Sequence, residues 1–232
     1  MKFSLVIPCY NEAANLPLLL ERCKEIAAKP DVEVIVVDNG STDSTTVVLE
    51  TLLPEYPGCR SIRVEKNQGY GFGIVSGLQA SKGEILGWTH ADMQTDPQDA
   101  LLGLEIFEKH GDDMFVKGRR YGRPFMDVVF TVGMSVFETC LLARPMWDIN
   151  AQPTMFSRSF FETWVAPPDD FSLDLYAYYQ AQRFGLKVFR FPVRFGERAH
   201  GVSHWNVNWS AKRKFILRTI GFSLQLKKKV SK

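Results

Sequence analysis

The sequence predicts an α/β protein with a largely parallel sheet and helices on both faces. Three observations lead there. Apolar, β-branched runs alternate with helix-length segments, which is the pattern of repeated strand–helix units. The 232 residues, 45% apolar and 23% charged, suit one substantial globular core and exclude a disordered or fibrous chain. Polar or glycine-rich clusters stand where the strands end, and ligands of such sheets bind outside the carboxyl ends of the strands.

In chain order, a strand SLVIPC is followed by a helix over 12–28, where Asn11 can cap and Glu12 sits in the first turn. A second strand, VEVIVVD, leads to a helix over 44–53 that Asp43 or Ser44 can cap. SIRVE forms a third strand, a helix starts near Phe72, and EILGWTHAD carries a fourth strand ending at Trp88. The second half is less regular. Residues 99–110 are helical, MFVKG is a short strand, 125–143 a helix, 153–157 an edge strand, 173–184 a helix and 186–191 a strand. One boundary falls before Trp209, giving a catalytic domain over 1–208 and a basic amphipathic tail over 209–232.

Composition narrows the function classes. Four scattered cysteines have neither zinc-site nor disulfide spacing. Together with an N-terminus that enters a strand at once, they point to a cytoplasmic catalytic domain. A net charge of +2 excludes a general nucleic-acid footprint, but residues 212–232 hold eight Lys or Arg and no acid. The longest apolar stretch, 128–143, contains Glu138 and is shorter than the roughly 20 residues that span a bilayer. It is expected as an amphipathic or buried helix.

Four clusters bear on chemistry. PCYNEAANL lacks the glycine-rich phosphate turn that a nicotinamide or flavin domain needs. VVDNGSTDST places Asp38 at the end of a buried strand, where its carboxylate needs a partner: either the turn itself, or a base or ribose. NQGYGFGIVSG starts a helix with glycines, for a phosphate or for close packing. THADMQTDP alternates His90, Asp92 and Gln94, so an extended segment would point all three to one side, toward a divalent cation.

Seven segments occur in the order of one known family: VIPCYNEAANL, VVDNGSTDST, NQGYGFG, HADMQTDP, GRRYG, WDINAQPTMFSR and ERAHGVSHW. Over roughly residues 3–205 the chain resembles the family 2 inverting glycosyltransferases of the GT-A fold, near the polyprenyl-phosphate (dolichyl-phosphate) sugar synthase branch. The resemblance implies a donor pocket for a UDP- or GDP-sugar formed by Pro8, Tyr10, Glu12, Asp38 and Asn39. It implies Mg²⁺ or Mn²⁺ at Asp92, with Gln94 and His90 beside it. Arg120 would hold an acceptor phosphate, and Arg198 and Ser203 belong to a loop that closes over the donor diphosphate. The chain departs from the pattern at Asn39 and His90, at His204, and in the helix over 125–143, which has no Arg.

The expected reaction is in-line transfer of the sugar to a polyprenyl phosphate at the cytoplasmic membrane face. Two alternatives stay open: transfer to a sugar hydroxyl in surface-glycan assembly, or a catalytically weak nucleotide-sugar-binding module. A hydroxyl acceptor needs a carboxylate base, for which Asp174 and Asp148 are candidates, each equally suited to capping a helix. The tail either rests on an anionic membrane as a basic amphipathic helix or packs on the catalytic domain.

Overall fold

A computed structural model describes residues 2–199 and 209–230, so Ser203 and His204 lie outside the described residues. The order is β1 (Phe3–Cys9), α1 (Leu16–Ala27), β2 (Val32–Asn39), α2 (Thr45–Leu52), β3 (Cys59–Val64), α3 (Tyr70–Ala80), β4 (Ile85–Trp88) and α4 (Asp99–His110). It continues with β5 (Met114–Tyr121), α5 (Phe125–Leu142), β6 (Thr154–Ser157), α6 (Arg158–Glu162), α7 (Leu173–Arg183), β7 (Lys187–Arg194) and α8 (Trp209–Val230). Of these, only the short α6 has no counterpart in the sequence reading.

All seven strands form one sheet in the order β3-β2-β1-β4-β6-β5-β7. The neighbours β3, β2, β1 and β4 run parallel, as do β5 and β7, while β6 is antiparallel to both of its neighbours. Every residue of β2 is buried, which explains why Val34, Ile35, Val36 and Val37 form an unbroken apolar run rather than alternating with polar residues. On one face α1 contributes Leu16, Leu19, Leu20, Cys23 and Ile26 to the core; on the other, Ile74 and Leu78 of α3 pack with Leu173, Tyr176 and Ala177 of α7. A 12-residue helix is marginal alone, so α1 owes its existence to that burial, worth about 1.5–3 kcal/mol for each enclosed Leu or Ile.

Three expectations are corrected. The 153–157 segment is an interior strand, not an edge: Pro153 stays outside the ladder and accepts the Gly118 N–H through its carbonyl, so no ladder donor is missing. Helix α1 starts at Leu16 with Pro17 in its first turn, and Asn11 does not cap it. Asn11 instead takes φ 57° and turns its side chain to the next loop. Helix α5 is neither buried nor conventionally amphipathic, since Phe125, Met126, Val129, Val136 and Phe137 are exposed.

Candidate active site

A cavity of about 500 Å³ opens at the carboxyl ends of β1, β2 and β4. Pro8, Tyr10, Glu12, Asn39, His90, Asp92, Gln94, Arg120, Asp174 and Arg198 all line it, so ten of the expected residues converge from six separate stretches of chain.

Asp38 is not among the lining residues. Its Oδ1 accepts the Ser41 N–H at 2.9 Å, and its Oδ2 accepts the Thr46 hydroxyl and lies 3.4 Å from the Arg63 guanidinium. The local turn and α2 thus satisfy the buried carboxylate, and the expected contact with a base or ribose has no support in its placement. Asn39 faces the cavity instead, held by an Nδ2 donation to the Gly69 carbonyl at 2.9 Å, while its buried Oδ1 has no partner.

The β1 and β2 loops are tied together. The Asn11 carbonyl oxygen Oδ1 accepts the Thr42 and Asp43 N–H groups, and the Glu12 N–H donates to the Thr45 hydroxyl at 2.9 Å. This positions Pro8–Glu12 over the sheet end. Burial pushes the Glu12 carboxyl up; a hydrogen bond from Asn15 opposes the shift, and the facing Asp92 charge adds to it.

The 89–96 segment does not extend as the alternation of His90, Asp92 and Gln94 requires. Met93 takes φ 60° and Asp92 Oδ1 accepts the Gln94 N–H at 3.1 Å, so the backbone turns, and the three side chains line the cavity with separate partners. His90 stacks on Tyr70 at 5.4 Å, Gln94 donates to the Gly196 carbonyl at 3.3 Å, and Asp92 Oδ2 pairs with Arg198 at 2.9 Å. Among the described residues no group of three or more His, Cys, Asp or Glu could hold a metal ion by itself. The residues nevertheless fit a cation shared with a substrate. Asp92 and Glu12 line the same cavity, and Mg²⁺-type ions are commonly held by one or two carboxylates plus substrate phosphate oxygens.

The opposite wall is cationic. Arg120 Nε donates to Asp148 Oδ1 at 2.9 Å, Arg190 lies 3.7 Å from Asp148 Oδ2, and Arg123 lies 4.0 Å from Oδ1. The Arg120 and Arg123 guanidiniums also stand 5.2 and 5.4 Å from the Phe195 ring centre. Three guanidiniums share one carboxylate, which leaves this wall with surplus positive charge. Burial pushes the Asp148 carboxyl up, but Arg120 and then Arg190 more than offset it and hold the group below the usual range. Asp148 does not line the cavity, and with its carboxylate taken up by these guanidiniums its placement suits a scaffold more than the base considered from sequence. Arg123 is not among the residues the sequence singles out; it stands three residues past Arg120 in the turn before α5, outside the helix where a second arginine is expected.

Asp174 is buried at the cavity floor, where Gln152 Nε2 donates to its Oδ1 at 2.7 Å and Lys117 Nζ lies 3.7 Å away. Burial pushes the Lys117 ammonium down to about 7, with Asp174 opposing the shift. Lys117 also escaped the sequence reading, since one lysine in a β-strand gives no sign that it points inward.

Comparison with known proteins agrees with this arrangement. The chain is 36% identical over 215 residues to an undecaprenyl-phosphate 4-deoxy-4-formamido-L-arabinose transferase of Photorhabdus laumondii, covering 88% of this chain and 63% of that one. It is 32% identical over 121 residues to a dolichol-phosphate mannosyltransferase of Pyrococcus furiosus, covering 52% and 34%. The chain therefore spans between about a third and just under two thirds of these relatives. Among solved structures, a glucosyl-3-phosphoglycerate synthase of Mycobacterium tuberculosis with Mn²⁺, UDP and phosphoglyceric acid superposes with a TM-score of 0.75 at 18% identity, covering 97% and 78% of the two chains. A mannosyltransferase of Pyrobaculum calidifontis with GDP-Man and Mn²⁺ gives 0.67 at 22%, covering 91% and 59%. Those two likenesses establish the GT-A type of fold. Residues 4–146 match Glycosyl transferase family 2, and with the fold, the cavity and these relatives in agreement, the chain belongs to that glycosyltransferase family.

Proposed function

We propose that this glycosyltransferase moves a sugar from a UDP- or GDP-sugar to a polyprenyl phosphate at the cytoplasmic membrane face. The observation that carries the reading is the two-sided cavity: strand-end loops with Asn39, Glu12 and Asp92 on one side, and the Arg120–Arg123–Asp148 wall on the other. The relatives' acceptors, undecaprenyl and dolichol phosphates by their names, are of the kind that wall would attract. Guanidinium forks suit phosphate oxygens, and two of them fix an anion's position as well as its charge.

In the proposed step the acceptor oxygen attacks the anomeric carbon. A new C–O bond forms as the bond to the nucleoside diphosphate breaks, with inversion. A phosphate acceptor is already ionised, so no proton must be removed. The protein's task is then orientation and charge stabilisation. Mg²⁺ or Mn²⁺, when bound, would neutralise charge gathering on the departing diphosphate, held by Asp92 with Glu12, His90 or Gln94 nearby. Arg198 pairs with Asp92 in this structure and lines the same cavity, within reach of a diphosphate there.

One observation favours a second reading, transfer to a sugar hydroxyl. Asp174 lines the cavity and is oriented by Gln152, as a general base would be. Screening UDP- and GDP-sugars with Mn²⁺ against a short polyprenyl phosphate and against glycan acceptors, with products followed by mass, separates the two. Arg123→Ala adds a specific check. The lipid-phosphate reading expects its acceptor KM to rise about 10-fold or more, about 1.4 kcal/mol, with the donor KM nearly unchanged. Equal effects on both substrates would remove Arg123 from the acceptor side.

A further inference from the structure

We propose that the outer face of α5 is a membrane-seating surface, working beside the basic helix α8. This rests on the reading that the acceptor is lipid-borne and names the surface that meets the bilayer.

Helix α5 is two-faced in an unusual sense. Its inner face is polar and fixed to the domain: Asp127 lines the cavity, Ser135 accepts the Asp148 N–H at 3.0 Å, and Thr139 accepts the Met146 N–H at 2.9 Å. Glu138, also on this face, accepts the Ser223 hydroxyl of α8 at 2.7 Å. Its outer face has no charge. Phe125, Val129, Gly133, Val136 and Cys140 follow at spacings of four, four, three and four residues, which is one helical stripe. Phe125 is 78% and Met126 70% exposed. The 18 residues are long and apolar enough to cross a bilayer. The three inner-face hydrogen bonds, at Ser135, Glu138 and Thr139, hold the helix along the domain surface, so it lies in a membrane interface rather than spanning it.

The occupant follows from charge and continuity. Helix α8 packs on α5 and exposes Arg213, Leu217, Leu224 and Lys228 at spacings of four, seven and four, an apolar stripe with a basic residue at each end. Its 212–230 stretch contains seven basic residues and no acid, and basic residues flanking an exposed apolar stripe suit an anionic headgroup layer rather than a basic or purely apolar partner. A narrow cleft of about 50 Å³ is lined by Phe130 and Met134 of α5, by Phe171, Leu175 and Thr219, and by Arg120 of the cationic wall. The helix that faces outward with apolar side chains therefore shares a cleft with an arginine of that wall.

The test uses the full chain with phosphatidylcholine vesicles, with and without phosphatidylglycerol. The variant Phe125→Glu/Val136→Glu changes exposed positions outside the cavity. It should keep the melting temperature and the thermal shift given by nucleoside diphosphate with Mn²⁺, yet lose at least 10-fold in co-sedimentation with anionic vesicles. Phe125→Trp, which adds no charge, should be quenched by brominated lipid. Wild-type-like sedimentation of the double variant, or no quenching of Phe125→Trp while the chain sediments, overturns the proposal. So does a lipid-free dimer that the double variant dissolves, because the face would then cover a second copy. Vesicle binding that depends on α5 in an enzyme that never glycosylates polyprenyl phosphate supports the surface and removes the acceptor reading alone.

Discussion

Asp92 and Asp38 illustrate how little a carboxylate's position in the chain says about its role. Asp38 lies at the end of a buried strand, and Asp92 follows one. Asp38 is consumed by Ser41, Thr46 and Arg63, whereas Asp92 faces the cavity and holds Arg198 at 2.9 Å. Asp92→Ala should therefore lower turnover by roughly 100-fold or more, about 2.7 kcal/mol, as expected for loss of leaving-group stabilisation. Donor hydrolysis with Mn²⁺ is the assay, and full activity of both this variant and the chelator-treated protein would sink the metal assignment. Asp38 was legible as a buried strand-end acid, but its partners were not. They come from a turn, from α2 and from β3, whose approaches to Asp38 no spacing rule specifies.

At the scale of elements, close packing and one buried acid give two checks. Gly77 in α3 sits against β1 and β2, where an added Cβ would meet Val6 at 2.3 Å and Val37 at 2.8 Å. Gly77→Ala should lower stability by about 1–3 kcal/mol through overpacking, seen as a drop in the urea midpoint; an unchanged midpoint would mean that α3 can shift off the sheet. Glu138 lies at the α5–α8 junction, where burial pushes its carboxyl up from 4.5 to about 7, opposed by the Ser223 hydrogen bond. The folded chain thus holds this proton more tightly than the unfolded chain. The resulting stability is full below pH 4.5 and is lost as pH rises through 7. Glu138→Gln should accordingly raise the melting temperature at pH 8 and leave it nearly unchanged at pH 4.5. The same gain at both values would show that charge is not the cause.

For the whole molecule, the cavity is assembled by topology. Loops after β1, β2 and β4 meet because those strands are neighbours in the sheet, and the cationic wall joins them because β5 and β7 lie two and three strands beyond β4. A ligand that bridges such loops stabilises the native state by mass action, about 2.7 kcal/mol at 100 times its dissociation constant. For a chain of this length that is a melting shift on the order of 5–10 °C. UDP and GDP should differ in this shift, and the preferred one should lose most of it when EDTA replaces Mn²⁺. A shift that does not depend on metal would place the nucleotide without a bridging cation.

The sequence by itself determined the fold class, the order of the elements to within a few residues, and the family. The reason is that strand runs, helix lengths and strand-end loops are local patterns, and a parallel sheet gathers its strand ends on one edge. Tertiary structure decided the rest. It turned the 89–96 segment at Met93, placed β6 inside the sheet, and withdrew Asp38 from the cavity while leaving Asn39 in it. It also brought Arg120, Arg123 and Arg190 around Asp148 and set Lys117 beneath Asp174. Those outcomes depend on which buried charge finds which partner across the chain. That choice is set by desolvation and packing over distances of 25 to 57 residues, where periodicity carries no information.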